Sequence, residues 1–310
     1  KGENVSDTFK LMNMKQYICF DVGGTGIGYG IIEENGNIIK KGSMNSEART
    51  LGGKGIVDKM VAKTKSLLPD YKLEGVAIST HGMIDSKNGI VMHADDHLIP
   101  GYSMMRVKDI VENETGLTCH LENDVNCAGL GELWLGANSD RKLVSMITVG
   151  TGIGACLIQD GQLITGECMC AGEIGKIMIP GGRFEDVAST YAMTSGLEKR
   201  LGLETDSLNG KMVFERIEAG EQVYIDAVDK MIDKLAIGLS TLAYIYNPGI
   251  IILGGGIMAR EDYFKPRLEV ALAKYLTPLI LNNTELRFAK LKNDAGMVGA
   301  LRNFLNKMGE

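Results

Sequence analysis

The pentapeptide GTGIG occurs twice, at Gly24–Gly28 and at Gly150–Gly154. Each copy follows a run of β-formers, YICFDV in the first case and LVSMITV in the second. Each then runs at once into another apolar stretch, YGII or ACLI. Strand, glycine turn, strand predicts a β-hairpin whose tip can press backbone N–H groups against a ligand. Two such tips in 310 residues predict a duplicated fold with two backbone clamps facing one polyanion, the phosphates of a nucleotide.

A chain of this length makes two domains with a large core. The net charge of −6 argues against a nucleic-acid partner, which needs basic surface to neutralise phosphates. No apolar run reaches the ~18 residues of a membrane helix, so no membrane partner is expected. The opening KGENVSDTFKLMN is polar and has no signal-peptide core, so residues 1–14 read as a disordered leader or cloning remnant outside the fold. The six cysteines, at 19, 119, 127, 156, 168 and 170, are scattered as free thiols of a reducing cytoplasm are. Cys168-x-Cys170 is the only close pair, and a single CxC is a poor zinc signature.

Residues 17–22, 29–33 and 37–41 read as three strands, the second turn carrying the hairpin signal Asn35-Gly36. Helical periodicity follows over Ile56–Leu68, and a strand over Val76–Ser79 leads to Thr80-His81-Gly82. A helix over Val107–Thr115 stops at Gly116, and the strand Leu117–Leu121 leads to Glu122-Asn123-Asp124. The plan then repeats: a helix over Ala128–Leu135, strands at 143–149, 153–158 and 162–164, and a long amphipathic helix over Tyr224–Tyr246. Strand Ile250–Leu253 runs into Gly254-Gly255-Gly256, and Gly296–Met308 is the last helix. This order predicts an α/β protein of two βββαβα halves around a central cleft. Residues 15–123, with the C-terminal helix 294–310 packing back, form the small N-terminal domain, and 124–293 the large C-terminal one.

Asp21-Val-Gly-Gly-Thr25 puts a carboxylate at a strand end beside exposed backbone, an arrangement suited to Mg²⁺ and phosphate and equally to an aspartate satisfying turn amides. Thr148–Gly154 offers hydroxyls and free N–H groups. Gly254–Gly256 lets a nucleoside lie against backbone, and also suits a plain strand-to-helix crossing. Glu122-Asn123-Asp124, between a strand and a helix, suits a general base with a neighbouring amide orienting a hydroxyl, or simple helix capping. His93 and His97 sit in a loop before Pro100, where i,i+4 spacing has no fixed geometry. His81 serves either as a substrate contact or as loop filling. Trp134 is read as packing.

Asp21–Thr25, Glu122–Ala128, Thr148–Gly154, Ala171-Gly-Glu173-Ile-Gly175 and Leu253–Gly256 together resemble, in order and spacing, the ROK family of sugar kinases and sugar-responsive repressors. The similarity spans about residues 15–308. It implies an actin/hexokinase-like ATPase fold, ATP and Mg²⁺ as cosubstrate and cofactor, a sugar as acceptor and a homodimeric state. By resemblance Asp124 is the base that takes the proton from the sugar hydroxyl. Gly82, Asn123, Glu173, Lys176 and Glu185 lie on the sugar side. Gly23, Gly24 and Thr25, with Gly150, Thr151 and Gly152, match the phosphate loops. Asp21 matches the Mg²⁺-organising carboxylate, and Gly254, Gly255 and Gly256 the adenosine side.

Three departures from the family pattern stand out. Lys176 replaces a common histidine, and the short segment to Glu185 carries no cysteine, so no structural zinc is expected. Gly26 replaces a lysine after the first loop, and Leu98 an asparagine before Pro100-Gly101. These changes cluster where the sugar binds and point to a β-glucoside or substituted hexose, phosphorylated on its 6-hydroxyl, with N-acetylmannosamine kinases as the other zinc-lacking class. A repressor would carry an N-terminal helix-turn-helix, whereas only about sixteen residues precede the first strand. A sugar-binding protein without kinase activity is the remaining alternative.

Overall fold

The computed structural model describes residues 14–137 and 139–309. It divides into two compact units, one running to Leu135 and resuming at Asn293, the other spanning Gly136–Lys292. The leader expected over residues 1–14 falls, but for its last residue, outside the described residues.

In the first unit β1 (Gln16–Val22), β2 (Gly26–Glu33) and β3 (Ile38–Asn45) form the expected antiparallel meander. Helix α1 (Ala48–Leu67) returns the chain to β4 (Leu73–Thr80), which lies parallel to β1. α1 starts earlier than its periodicity suggests because Gly52, at φ +62°, breaks the helix and offsets its first turn. A small hairpin, β5 (Met83–Asp85) and β6 (Ile90–His93), precedes α2 (Val107–Thr115) and β7 (Thr118–Asn123). β7 pairs parallel to β4, giving the order β3-β2-β1-β4-β7. α3 (Asp124–Leu135) follows β7 without a loop.

The second unit repeats that sheet. β8 (Leu143–Val149), β9 (Ile153–Gln159) and β10 (Gln162–Leu163) form the meander. Beyond it come the hairpin β11 (Met178–Ile179) and β12 (Gly182–Arg183) and four helices: α4 (Phe184–Ala188), α5 (Thr190–Leu201), α6 (Gly210–Glu218) and α7 (Gln222–Ile245). β13 (Ile250–Gly254) is parallel to β8, and α8 (Glu261–Leu272) and α9 (Pro278–Leu281) lead to β14 (Glu285–Phe288), giving β10-β9-β8-β13-β14. β13 is buried along its whole length, as a central parallel strand must be. The last helix, α10 (Ala295–Met308), belongs to the first unit.

The boundary therefore differs from the cut near residue 123 that the motif order suggests: α3 stays with the first unit. The reason is its contact with α10. A Cβ on Gly131 would stand 2.6 Å from the carbonyl oxygen of Ala295, and one on Gly299 would overlap that of Cys127. Small residues let the two backbones touch, which no larger residue permits. Trp134, on the same helix, packs near Gly36 with the Arg302 guanidinium 5.5 Å above its ring. Gly299→Ala is expected to lower the unfolding free energy by about 1–3 kcal/mol through overpacking, read as a shifted urea midpoint with an unchanged slope.

Candidate functional site

Parallel pairing of β1, β4 and β7 lines up their carboxyl ends. Asp21 sits opposite Ser79, and Ser79 opposite Glu122; one step on, Val22 faces Thr80 and Thr80 faces Asn123. Neighbouring strands lie about 4.8 Å apart, so residues far apart in sequence become adjacent. The Ser79 hydroxyl donates to Asp21 Oδ1 at 2.6 Å, a partner that sequence reading missed. At Gly296, in the first turn of α10, an added Cβ would overlap the Asp21 carboxylate, so the glycine is what lets the helix start come this close.

Asn123 caps α3. Its side-chain oxygen accepts from the amides of Val125 (2.9 Å) and Asn126 (3.1 Å), and its Nδ2 donates to the carbonyl of Gly82 at 2.9 Å. The capping reading thus holds for Asn123, and the same bonds tie Gly82 to the end of β7. Gly82, at φ +113°, admits no Cβ, which would stand 2.6 Å from the His93 carbonyl. Asp124 opens the helix, its Oδ1 accepting the Val125 amide at 2.9 Å. Below it the buried Glu122 accepts from the Asn123 amide (2.8 Å) and Asn126 Nδ2 (2.9 Å).

Burial pushes the Asp124 carboxyl above the ordinary aspartate range, against the opposing pull of His81 and the local amides. Burial also raises Asp21, which Ser79 opposes and the nearby Asp124 charge reinforces. His81 thus belongs to the electrostatic surroundings of Asp124. His93 ends β6 and His97 lies in an exposed turn, so these two share no helix face.

Each hairpin tip is closed by a backbone hydrogen bond. Gly23 N donates to Gly26 O at 2.9 Å, and Gly150 N to Gly152 O at 3.0 Å. The first tip, Gly23, Gly24 and Thr25, is exposed and anchored by Ser46, whose hydroxyl donates to Gly24 O at 2.8 Å. Leu98 lies beside it, 3.9 Å from where a Gly24 Cβ would stand. The second tip is held by the start of α5, with the Tyr191 amide on Gly150 O at 3.3 Å.

In the second unit, Gly150, Thr151 and Gly256 line a cavity of about 780 Å³ with Asn209, Phe214 and Arg260. Added Cβ atoms on Gly150 or Gly256 would meet nothing within 4 Å. Gly254 and Gly255 do not line it. Gly254 ends the buried strand, and a Cβ on Gly255, at φ +104°, would overlap the Val149 carbonyl. The sequence reading missed the wall supplied by α5 and α6. Their signal is the pair of N-caps, Ser189 accepting from Ala192 N and Asn209 accepting from Met212 N.

Lys176 and Glu185 form an ion pair at 2.6 Å. Glu185 Oε2 would stand 2.9 Å from a Cβ on Gly152 and 3.1 Å from one on Gly175, so both glycines make room for it. Glu173 precedes the one-turn helix Ile174–Lys176 and donates its amide to Cys170 O at 3.4 Å. Cys170 Sγ donates to Cys168 O at 3.0 Å. Among the described residues no group of three or more His, Cys, Asp or Glu is gathered for a metal.

A carboxyl with a raised folded pKa binds its proton more readily folded than unfolded. It therefore destabilises the fold above that raised value and is neutral in effect below the ordinary 3.8. Asp124→Asn, whose side-chain oxygen can still accept the Val125 amide, is expected to melt higher than the parent at pH 8. The gain should vanish as the pH falls below 3.8, a pattern that thermal melts across pH 3–8 check.

The ROK family matches residues 17–306. The chain is 31% identical to a glucokinase of Halalkalibacterium halodurans, covering 93% of this chain and 94% of that one. It is 29% identical to a β-glucoside kinase of Listeria monocytogenes, over 93% and 97%. Among solved structures, a ROK family protein from Streptococcus pneumoniae in complex with sucrose superposes with a TM-score of 0.81 at 26% identity, over 95% and 99%. The fold is accordingly an α/β fold related to the actin, hexokinase and sugar-kinase superfamily. With a match over nearly its whole length, the chain belongs to the ROK family, a family of catalytically active sugar kinases.

Proposed function

We propose that this chain transfers the γ-phosphate of ATP to a sugar hydroxyl, the 6-hydroxyl of a hexose, β-glucoside or N-acylhexosamine, with a glycoside as the favoured acceptor. The observation that carries the reading is the placing of Asp124 beside Asn123 and Gly82, where the parallel strands end and α3 begins. A glucokinase and a β-glucoside kinase among the relatives, and a disaccharide bound to a structural neighbour, support a sugar acceptor and favour a glycoside.

In this reading Asp124 accepts the hydroxyl proton. A burial-raised pKa makes it a better base than a solvated aspartate, and the demand is modest because that proton leaves late in a loose transition state. Asn123 spends its oxygen on capping and one N–H on Gly82, which leaves a second N–H to orient the acceptor hydroxyl. Glu173, Lys176 and Glu185 contact further hydroxyls; the bond to Lys176 aims Glu185. The backbone of Gly23–Thr25 and Gly150–Gly152 holds phosphate oxygens.

The cavity of about 780 Å³ suits an adenosine. It falls within the ~300–1,000 Å³ of small-molecule sites, and Cβ atoms on Gly150 and Gly256 would intrude on the space they leave open. Asp21 fits a share in holding Mg²⁺. One carboxylate beside a phosphate-binding turn is what that ion takes when phosphates and water supply its other ligands. Mg²⁺ neutralises phosphate charge when bound.

The shared strand order of the two sheets supports a duplicated unit. For the assembly we favour a cytoplasmic homodimer. Among the exposed apolar side chains, Ile245 (81%) and Leu279 (75%) are the ones such an interface would cover.

A coupled ADP-release assay with Mg·ATP across glucose, N-acetylmannosamine, fructose and cellobiose tests the reading. Turnover is expected on at least one, and none on any overturns it. Asp124→Asn should bind sugar by calorimetry yet lose at least ~100-fold in kcat; near-normal turnover would remove Asp124 as the base.

A further inference from the structure

A second cavity, of about 330 Å³, lies in the second unit beside the Lys176–Glu185 pair. Its lining includes Thr151, Gly152, Glu185, Asp186, Tyr191 and Ser195. Thr151 and Tyr191 also line the larger cavity, so the two are neighbours with a shared wall.

The chemistry of this lining selects its occupant. Glu185 and Asp186 supply carboxylate acceptors, and each is already charge-balanced, Glu185 by Lys176 at 2.6 Å and Asp186 by Arg183 at 3.1 Å. Against the wall formed by Glu185 and Asp186 an anion would meet two carboxylates and is disfavoured. A divalent cation finds no third carboxylate, histidine or thiol among the described residues. The hydroxyls of Thr151 and Ser195 add groups that donate and accept. Tyr191, 46% exposed, presents an aromatic ring with a polar tip. Carboxylates, hydroxyls and one open aromatic together match a neutral polyol ring with alternating C–H and O–H surface. At about 330 Å³ the space is near the lower end of the ~300–1,000 Å³ small-molecule range, enough for one ring and too small for a nucleotide.

We infer that this cavity is a subsite for the second ring of a glycoside acceptor, with Asp186, Ser195 and Tyr191 reading the ring that is not phosphorylated. The inference rests on the sugar-kinase reading and deepens it. Glu185, a contact of the phosphorylated hexose in that reading, also lines the subsite. Glu185 is thereby the residue the subsite shares with the hexose contacts of that reading.

Ser195 is half-buried, and its hydroxyl makes only a 3.4 Å bond to the carbonyl of Ala192, so Ser195→Phe fills the space with little lost from the fold. Asp186 is exposed at a helix start, so Asp186→Ala provides a second variant that does not depend on tolerating a larger side chain. The probes are glucose and cellobiose, measured by calorimetry and by the coupled ADP-release assay on the full chain. In the parent, cellobiose should bind at least tenfold more tightly than glucose. Each variant should cut that preference at least tenfold, with the loss in KM for cellobiose and little change in KM for ATP. A parent with no preference, or variants that keep it, would overturn the subsite even where glucose is phosphorylated. A binding preference that the variants abolish would uphold the subsite even if no sugar turned over, an outcome that would fell the kinase reading alone.

Discussion

The parallel pairing of the first strand of each meander with a strand that returns after a helical crossover is the constraint on which the rest depends. β1 with β4, and β8 with β13, bring distant segments to one edge in fixed register. In the first unit that edge carries Asp21, Thr80, Asn123 and Asp124; in the second it carries the second glycine tip and the turn at Gly255. Polar backbone at strand ends has no partner strand beyond it, so this edge is where ligands find hydrogen bonds. The antiparallel partners β2 and β9 do the complementary work, returning the chain through the two tight glycine-bearing turns.

Close backbone contact recurs as the device that positions side chains. Gly131 and Gly299 bring α3 and α10 together; Gly296 admits the Asp21 carboxylate to the start of α10; Gly152 and Gly175 make room for Glu185. In each case a missing Cβ, not an attractive contact, sets the geometry. The cost is borne in chain entropy and recovered through burial of strands such as β13 and the core around Phe20 and Ile18.

The polar groups at the first edge are held by two sets of hydrogen bonds. Asn123 joins Gly82 to α3, Glu122 holds Asn123 and Asn126, and Ser79 holds Asp21. These bonds fix side-chain positions, while burial raises the proton affinity of both aspartates against the opposing pull of their hydrogen bonds. A carboxyl held with a raised proton affinity works against stability above its pKa.

Much of this was legible in the chain itself. The two GTGIG tips, the strand bounds at 143–149 and the helix at 107–115 follow from glycine and apolar spacing alone, because turns and amphipathic periods are local properties. The motif order carried the family, and Asp21, Asn123 and Asp124 stand at the strand ends where the motifs put them. What the sequence could not decide was partnership across distance. No element was assigned from the sequence between 165 and 223, so the walls that α5 and α6 supply through Tyr191, Asn209 and Phe214 went unseen. Helix α3 reads as the start of the second half until its glycine contact with α10 assigns it to the first. Nor does sequence show that Gly256 opens on the cavity while Gly254 and Gly255 are packed away. Local spacing determines which elements form; which surfaces of those elements meet, and so which residues share a site, is decided only by close packing in three dimensions.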